Sequence, residues 1–322
     1  MKVTAIAGGV GGAKLAHGLY KTLDPADLTI IANTGDDFRH LGLYISPDVD
    51  TLCYTLADMV NPEAGWGRRD ESWKAIEELG RLGGPTWFGL GDRDIATHLE
   101  RTRRMAQGQT LTAITAHFCQ FWGVVAKIIP MSDQPVRTMV ETDQGRMSFQ
   151  EYFVKHRYEP RVASFEFAGI QKASPAAGVL EAIAECDLVV FCPSNPWVSI
   201  DPILNVYGMR EALAKRPVLA VSPMIGGQAV KGPAAKMFTE LGITPSSLAV
   251  AEHYGDLLSI LVIDESDAVE KSAIERLGIM VAVSNILMKD IDDRQRMASE
   301  VIELAETHLL PSSKPSSKED QI

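Results

Sequence analysis

A glycine-rich turn follows the first apolar run of the chain and has the composition of a phosphate-binding turn. Gly8–Gly12 (GGVGG) lies between Lys2–Ala7 and a segment with helical spacing. Unpaired N–H groups at the start of a helix can bind a phosphate. The turn lacks the Gly-Lys-Ser/Thr ending of a P-loop, because Ala13–Leu15 stands there. It predicts phosphate or nucleotide contact, and the alternative is a tight turn that binds nothing.

Two groups of acidic residues indicate a divalent cation near that phosphate. Asp36 and Asp37 follow the second apolar run, whereas Asp48 and Asp50 begin the next predicted helix. Adjacent carboxylates are stable beside a phosphate only when a cation lies between them. Mg²⁺ suits such a site, since it binds one or two carboxylates together with phosphate oxygens. The alternatives are an Asx turn that faces water for the first pair and a helix N-cap for the second.

A strand-to-helix corner at Leu90–Asp94 (LGDRD) adds a further candidate site. Gly91 permits the turn, Asp92 or Asp94 can cap the helix, and Arg93 supplies a guanidinium that can bind phosphate. In the helix that follows, we expect one face to be buried and another to face solvent. The predicted buried residues are Ile95, Leu99 and Met105, and the predicted solvated residues are Arg101, Arg103 and Arg104.

Three loops rich in Gly, Pro, Ser and Asn follow later apolar runs. They are Pro193–Pro196, Ser222–Gly227 and Lys231–Pro233. Each loop alone is explained equally well as a plain connection. Because the carboxyl ends of parallel strands meet at one edge of a sheet, together they indicate a single ligand crevice.

The elements that position these residues alternate between strand and helix. Such alternation predicts an α/β fold, with a doubly wound, mostly parallel, Rossmann-like sheet. The predicted strands are Lys2–Ala7, Leu28–Ala32, Leu188–Cys192, Val218–Val221, Leu248–Ala251, Leu258–Ile263 and Ile279–Val283.

The middle of the chain has a different pattern, which predicts a mainly helical insertion or lid over about 66–158. Within it, Val136–Phe149 has the pattern of a hairpin. We predict a single domain over 1–310, followed by a disordered polar tail over 311–322.

Composition narrows the class of function. The 322 residues include 31 Lys and Arg against 42 Asp and Glu, a net charge of −11 that argues against an extended nucleic-acid surface. No apolar run approaches the ~18 residues of a membrane span. We predict a cytoplasmic protein without nucleic-acid or membrane partners, whose four cysteines are free thiols. The residues alone predict a Mg²⁺-assisted enzyme that acts on a phosphorylated, nucleotide-linked substrate.

The same segments, in this order, resemble the 2-phospho-L-lactate transferase family of coenzyme F420 biosynthesis. The likeness covers roughly residues 1 to 305. The matching stretches are Gly8–Lys14, Asn33–Asp37, Ser46–Thr51, Leu90–Asp94, Pro193–Ile200, Ser222–Gly227 and Lys231–Pro233.

The resemblance implies a phosphotransferase for substituted phosphate groups with two small-molecule substrates. The donor is a guanosine diphosphate that carries a phosphorylated three-carbon acid, and the acceptor is the terminal ribityl hydroxyl of the deazaflavin Fo. GMP and F420-0 or dehydro-F420-0 are the products. The resemblance leaves 2-phospholactate, phosphoenolpyruvate and 3-phosphoglycerate open as the acid, and it implies a homodimer.

The resemblance also implies roles for individual residues. Asp50 and Arg93 match the positions that contact Fo, and Asp50 is expected as a metal ligand or as the base that orients the attacking hydroxyl. Asp36 and Asp37 are expected near the Mg²⁺–diphosphate. Residues expected to bind substrate are Gly9, Gly11, Gly12, Lys14, Asn33, Thr34, Asp92, Ser194, Asn195, Gly226, Gly227 and Lys231.

A rival interpretation comes from a related family of nucleotide-sugar-binding regulators of the gluconeogenesis-factor type. These proteins share the glycine-rich start and a similar second loop but are binding proteins rather than transferases. Ser46–Asp50 together with Leu90–Asp94 favours the transferase. An NAD-dependent dehydrogenase is disfavoured, because the second strand ends without the lone acid that binds a ribose.

Overall fold

A parallel sheet forms the centre of the protein, described here from a computed structural model that covers residues 1–229 and 234–310. Within those residues, seven strands pair in the order β14-β13-β10-β9-β1-β2-β5, all parallel. The strands of the described chain are β1 Val3–Ala7, β2 Leu28–Ala32, β3 Phe38–His40, β4 Leu43–Ile45, β5 Lys127–Pro130, β6 Arg137–Thr142, β7 Gly145–Ser148, β8 Val162–Ala168, β9 Leu188–Phe191, β10 Val218–Val221, β11 Met224–Ile225, β12 Gln228–Ala229, β13 Ile260–Asp264 and β14 Met280–Ser284.

Helices cover both faces of this sheet, so the predicted doubly wound α/β class is confirmed. Their bounds, for the described residues, are α1 Gly9–Thr22, α2 Pro47–Leu56, α3 Lys74–Arg81, α4 Asp92–Ala106, α5 Leu111–Phe121, α6 Val179–Glu185, α7 Asp201–Leu204, α8 Met209–Leu213, α9 Ala234–Glu240, α10 Ser247–Tyr254, α11 Lys271–Glu275 and α12 Ile291–His308.

Strand β1 shows why the sheet is buried on both faces. Val3 and Ala5 belong to the apolar layer formed with α1, α2 and α12, whereas Ile6 belongs to the opposite layer formed with α6, α8 and α10. Successive side chains along a strand point to opposite faces of the sheet. Because β1 carries apolar side chains on both faces, it must lie between two helical layers.

The chain changes direction at β1. It adds β2 and β5 on one side of β1, and then crosses to add β9, β10, β13 and β14 on the other side. The loops after β1 and β9 therefore leave the same edge of the sheet in opposite directions. A crevice opens at such a switch point, and it is the usual ligand site of an open α/β sheet.

The middle of the chain is more varied than the predicted helical insertion over 66–158. That range contains α3, α4 and α5, but Lys127–Pro130 (β5) is the edge strand of the main sheet. The predicted hairpin is present as β6 and β7, and β8 joins it in a separate antiparallel sheet. No helix among the described residues is both long and apolar enough to cross a bilayer.

One predicted strand is wrong. Leu248–Ala251 lies inside α10, which begins after the N-cap Ser246, whose hydroxyl accepts a hydrogen bond from the Ala249 amide. A short apolar run looks the same in a buried strand and in a buried helix, and the capping serine decides between them. The four cysteines are buried free thiols, as predicted.

Candidate active site

A cavity of about 470 Å³ opens at the carboxyl ends of β1, β2, β9 and β10. It lies at the switch point of the sheet, and most of the chemically active segments of the sequence meet there. Its wall residues that carry polar groups or belong to the glycine turn include Gly8, Gly9, Gly11, Lys14, Asp36, Asp48, Asp50, Tyr54, Asp94, His98, Gln150, Ser194, Asn195 and Ser222.

The glycine turn is needed for close contact with the loop after β9. A Cβ atom on Gly11 would collide with the carbonyl oxygen of Pro193, and one on Gly12 would lie 2.5 Å from Ser194 Oγ. The Ser194 hydroxyl accepts a hydrogen bond from the Gly8 amide (3.2 Å) and donates one to the Gly8 carbonyl (2.8 Å). The two loops therefore form one continuous wall, with the start of α1 facing the cavity.

Asp36 and Asp48 form the acidic part of the wall. The Asn33 amide donates to Asp36 Oδ1 (3.1 Å) and to Asp48 Oδ2 (2.9 Å), and Gln150 donates to Asp36 Oδ2 (2.9 Å). Burial, together with the neighbouring Asp48 carboxylate, raises the pKa of Asp36 well above its usual range. Burial likewise raises the pKa of Asp48 to about 6. Two buried carboxylates this close are a favourable site for a cation.

Asp37, which the sequence predicts as a metal ligand beside Asp36, lies away from the cavity wall. Its two oxygens accept hydrogen bonds from Tyr44 (2.9 Å) and from Ser46 (2.7 Å). Asp37 is not among the wall residues of the described chain. Burial raises the pKa of Asp37. Asp37 therefore holds the loop between β2 and α2 together, whereas Asp48 lines the cavity.

Asp50 lines the cavity but is already paired. Both of its oxygens accept hydrogen bonds from the Arg101 guanidinium. Burial alone would lower the pKa of Arg101, but the adjacent Asp50 carboxylate raises it, so the guanidinium stays charged. The role predicted for Asp50, metal ligand or base, would have to be filled by a carboxylate that is also one half of a buried ion pair.

The prediction for the faces of α4 is wrong at two positions, although Arg103 is exposed as predicted. Arg101, predicted to be solvated, is 1% exposed, and Leu99, predicted to be buried, is 53% exposed. The buried residues of this helix are polar and follow helical spacing: Asp94, Thr97, His98 and Arg101. A polar stripe at positions i, i+3, i+4 and i+7 is a signal in the sequence that could have been recognised.

Asp92 and Arg93 lie at the outer end of α4. Asp92 accepts hydrogen bonds from Ser72 Oγ and from the first amides of α3. Arg93 is exposed, and neither residue is among the wall residues of the described chain. The structure therefore does not bring these two predicted site residues to the cavity.

A family model described as 2-phospho-L-lactate transferase CofD matches residues 3–309, which extend from β1 to the end of α12. The chain belongs to the CofD family. Its match covers the whole of the sheet and every cavity wall.

Curated relatives of this CofD-family chain carry two different names. A phosphoenolpyruvate transferase of Streptomyces griseus is 44% identical over 314 residues, which cover 95% of this chain and 99% of the relative. A 2-phospho-L-lactate transferase of Methanosarcina acetivorans is 39% identical over 302 residues, with 94% and 98% covered. A UPF0052-family protein of Bacillus halodurans is 14% identical, with a TM-score of 0.62 over 94% of this chain and 98% of that chain. That last likeness supports the fold.

The remaining predicted residues of the CofD-family chain divide by position. Gly9, Lys14 and Asn195 line the cavity, and Lys14 also donates a hydrogen bond to the Met288 carbonyl. Asn33 and Thr34 are buried, and neither is a wall residue of the described chain. Gly226 and Gly227 adopt φ angles of 58° and 70°, and the described wall excludes them as well. Lys231 lies outside the described residues, as does the predicted tail 311–322.

Proposed function

We propose that this protein transfers a phosphorylated three-carbon acid to the deazaflavin Fo in coenzyme F420 biosynthesis. The donor is the guanosine diphosphate conjugate of the acid, and GMP leaves. The observation that carries the proposal is the full-length family match, combined with one cavity that joins a glycine turn to two buried carboxylates. A phosphodiester forms directly, without a covalent enzyme intermediate, so positioning and charge neutralisation supply the catalysis.

The guanosine diphosphate part is proposed to bind at the switch point of the sheet. The first turn of α1 presents backbone N–H groups, Lys14 presents an ammonium group, and Ser194 and Asn195 belong to the facing loop. A helix start and a cation on one wall suit a diphosphate. The acceptor would then occupy the side of the cavity formed by α2 and α4.

Asp36 and Asp48 are proposed to hold Mg²⁺. They fit the ion because their carboxylates face one cavity and share the Asn33 amide. Burial raises the pKa of each, and a bound cation would stabilise the ionised forms. Phosphate oxygens and water would supply the other ligands of Mg²⁺. Among the described residues, no group of three or more His, Cys, Asp or Glu side chains could hold a metal ion. When bound, the ion would neutralise the negative charge of the diphosphate.

Phosphoenolpyruvate is the proposed acid. Relatives named phosphoenolpyruvate transferase are 42–44% identical to this chain, compared with 37–39% for relatives named 2-phospho-L-lactate transferase. The difference is modest, and both groups are covered almost end to end. The higher identity therefore makes the phosphoenolpyruvate conjugate the first donor to assay.

The test is mass spectrometry of reactions that contain Fo, Mg²⁺ and one guanylylated donor at a time. We expect GMP and a dehydro-F420-0 product with the phosphoenolpyruvate conjugate, and none after removal of Mg²⁺ by a chelator. Product from a different donor would replace the acid but keep the transferase. A folded protein that binds a nucleotide sugar and transfers nothing from any donor would overturn the proposal in favour of a regulatory binding protein.

A further inference from the structure

Asp94 lies where two cavities meet. It lines the 470 Å³ cavity and also an adjoining one of about 230 Å³, whose walls include Trp66, Trp73 and Arg68. Although Asp94 is in the first turn of α4, its carboxylate does not cap that helix, because the free first-turn amides of Arg93 and Asp94 donate to Glu71 instead. The side chain of Asp94 is thus directed inward and needs another explanation.

The other carboxylates on the cavity wall are bound to partners of a different kind. Both oxygens of Asp36 accept hydrogen bonds from side-chain amides, and both oxygens of Asp50 contact Arg101. Asp48 shares the Asn33 amide with Asp36 and lies beside the glycine turn. The side chain of Asp94 is 13% exposed, compared with 7% for Asp50. Asp94 is therefore the more accessible acceptor on the α2–α4 side.

Two neighbours orient the Asp94 carboxylate. The Tyr54 hydroxyl donates to Oδ1 (2.7 Å), and His98 Nε2 lies 3.4 Å from Oδ2. Arg101 can only donate, so the 3.1 Å contact between its guanidinium and His98 Nδ1 makes that nitrogen an acceptor. The ring hydrogen is then on Nε2, on the side of Asp94.

These contacts keep Asp94 ionised. Burial opposes ionisation, but the adjacent His98 ring, the hydrogen bond from Tyr54 and the charge of Arg101 prevail and hold the pKa of Asp94 below its usual range. The hydrogen bond from Tyr54 and the 3.4 Å contact with His98 leave further lone pairs on the carboxylate, because an ionised carboxylate has about four acceptor sites. A buried carboxylate with spare acceptor sites is suited to accept a proton from a bound hydroxyl.

We propose that Asp94 is the residue that accepts the proton of the attacking acceptor hydroxyl, and that Tyr54 and His98 position it. This inference rests on the proposed function. The hydroxyl oxygen forms a bond to the phosphorus that carries the acid, and the bond from that phosphorus to the GMP oxygen breaks. The electron pair leaves with GMP, and the hydroxyl proton passes to Asp94 and then to water. An aspartate that orients a hydroxyl in this way is established chemistry in phosphoryl transfer.

Chemical rescue tests the assignment. Asp94→Ala removes the carboxylate and leaves a space between two cavities, where formate can enter. We expect kcat to fall about 100-fold with the acceptor KM changed less than about fivefold, and formate to restore kcat at least about tenfold. Asp94→Asn keeps the shape, and it should show the same loss without rescue. Asp292→Ala, in the first turn of the exposed end of α12, is the matched control and should keep full activity.

The positioning residues have a separate readout. Tyr54→Phe should lower kcat with little change in acceptor KM, and formate should not rescue it, because the carboxylate is still present. Circular dichroism and GDP binding by calorimetry establish that each variant is folded; if Asp94→Ala does not fold, Asp94→Asn decides.

The outcomes separate the two proposals. If the wild-type protein transfers the acid to Fo and folded Asp94→Asn does so at a similar rate, the role of Asp94 is wrong and the transferase stands. If Asp94→Ala raises the acceptor KM without lowering kcat, Asp94 only binds the acceptor, and its role as proton acceptor is overturned. If the wild-type protein transfers nothing from any donor, the proposed function itself fails.

Discussion

Arg101 is the largest side chain that is completely buried in the described part of the protein. Its charge is tolerated because both oxygens of Asp50 accept hydrogen bonds from it. In addition, the centroid of the Phe118 ring lies 5.8 Å from the guanidinium carbon. A buried ion pair adds little net stability compared with apolar residues. Removal of one partner is costly, however, because a bare charge is left in the interior. The residues around the cavity therefore contribute to stability as well as to chemistry.

Replacement of Asp50 should reveal this double role. We expect Asp50→Asn to lower the free energy of unfolding by about 3 kcal/mol or more, because Arg101 loses its counter-charge. Urea denaturation measures the loss. The double variant Asp50→Asn/Arg101→Met should recover part of it, since no buried charge remains.

A surface pair provides the control for Asp50→Asn. Glu100 contacts Arg103 and Arg104 on the exposed side of the same helix. Glu100→Gln should leave the unfolding midpoint unchanged, because exposed ion pairs are screened by water. Unchanged stability of Asp50→Asn itself would show that the Arg101 charge does not depend on this partner, and a loss of turnover in that variant would then report on chemistry alone.

His17 gives the protein a predictable response to acid. It is 3% exposed, and burial lowers the pKa of its ring to about 4, although the nearby Asp58 opposes the shift. Between pH 6.5 and 4 the unfolded chain therefore binds a proton at His17 that the folded chain does not. The contribution of His17 to the free energy of unfolding is fully present above pH 6.5 and is lost as the pH is lowered toward 4. At pH 5 the loss from this residue is about 2 kcal/mol.

Unfolding free energies of the wild-type protein and of His17→Gln, measured at pH 8 and pH 5, test this response. At pH 8 the His17 ring is neutral in both the folded and the unfolded chain, so the difference between the two proteins there measures packing alone. The wild-type protein should lose about 2 kcal/mol more than the variant between the two pH values. Parallel losses would show that His17 does not cause the acid sensitivity.

At the scale of elements, α3 and α4 cap each other. Glu71, which precedes α3, accepts hydrogen bonds from the Arg93 and Asp94 amides at the start of α4 (2.8 and 2.9 Å). Asp92 of α4 accepts in return from the Lys74 and Ala75 amides of α3. Neither helix has a side-chain cap from its own N-cap residue. The corner that carries Asp94 is therefore held by a residue about twenty positions away.

Removal of one cap should loosen that corner. Glu71→Ala leaves the first amides of α4 without acceptors, which costs on the order of 1 kcal/mol. Hydrogen–deuterium exchange at the Arg93 and Asp94 amides should become faster, while exchange in the sheet stays the same. Glu77→Ala, an exposed glutamate in the first turn of α3, is the control. Equal exchange in both variants would show that Glu71 does not hold α4.

At the scale of the whole molecule, the site depends on contact between segments far apart in the sequence. The turn after β1 and the loop after β9 are separated by about 180 residues. Their contact is close because Gly11 has no Cβ that would strike the Pro193 carbonyl. The cavity is therefore a property of the assembled sheet.

Gly11→Ala should weaken nucleotide binding with little effect on the fold. The added methyl group must displace the loop after β9, and so Ser194 and Asn195 move with it. We expect the Kd for GDP to rise at least tenfold by calorimetry. The stabilisation by GDP at 100 times the wild-type Kd, about 2.7 kcal/mol, should fall to about 1.4 kcal/mol or less. Gly80→Ala in α3, where the nearest atom is a Thr86 methyl group at 3.2 Å, is the control. An unchanged Kd in Gly11→Ala would place the nucleotide elsewhere.

The sequence predicts the parts of this assembly that have a strong local pattern. Continuous apolar runs predict β1, β2, β9, β10 and β13, and the glycine turn and acidic segments lie after the first two of them. The edge strand Lys127–Pro130 has no such signal, because it begins with an exposed lysine and ends with a proline, so the apolar run between them is short. Position at the edge of a sheet is set by tertiary pairing, which local pattern does not contain.

The site residues show the same limit at finer scale. The spacing of the sequence places four acidic residues near the glycine turn. It does not show which of their carboxylates already accept hydrogen bonds from other side chains. Tyr44 and Ser46 donate hydrogen bonds to Asp37, and Arg101 donates to Asp50. Asp48 lies on the wall because the Asn33 amide donates hydrogen bonds both to it and to Asp36. Asp94 lies there because Glu71, rather than Asp94, accepts the hydrogen bonds of the first amides of α4. These are long-range contacts, so only the folded chain reveals them.

Packing of the last described helix against the first has a consequence for synthesis. α1 lies under α12, so closely that Gly18 touches the backbone of Arg294, and β1 gains its second neighbour only when Leu188–Phe191 pairs with it. During synthesis, the glycine turn leaves the ribosome early. The segments that pack beside it, Leu188–Phe191 and α12, become available only when most of the chain has been translated. A nascent chain interrupted before α12 carries nearly every cavity residue and still leaves the apolar outer face of α1 uncovered. Such a fragment is a substrate for chaperones and proteases rather than an enzyme with a missing tail.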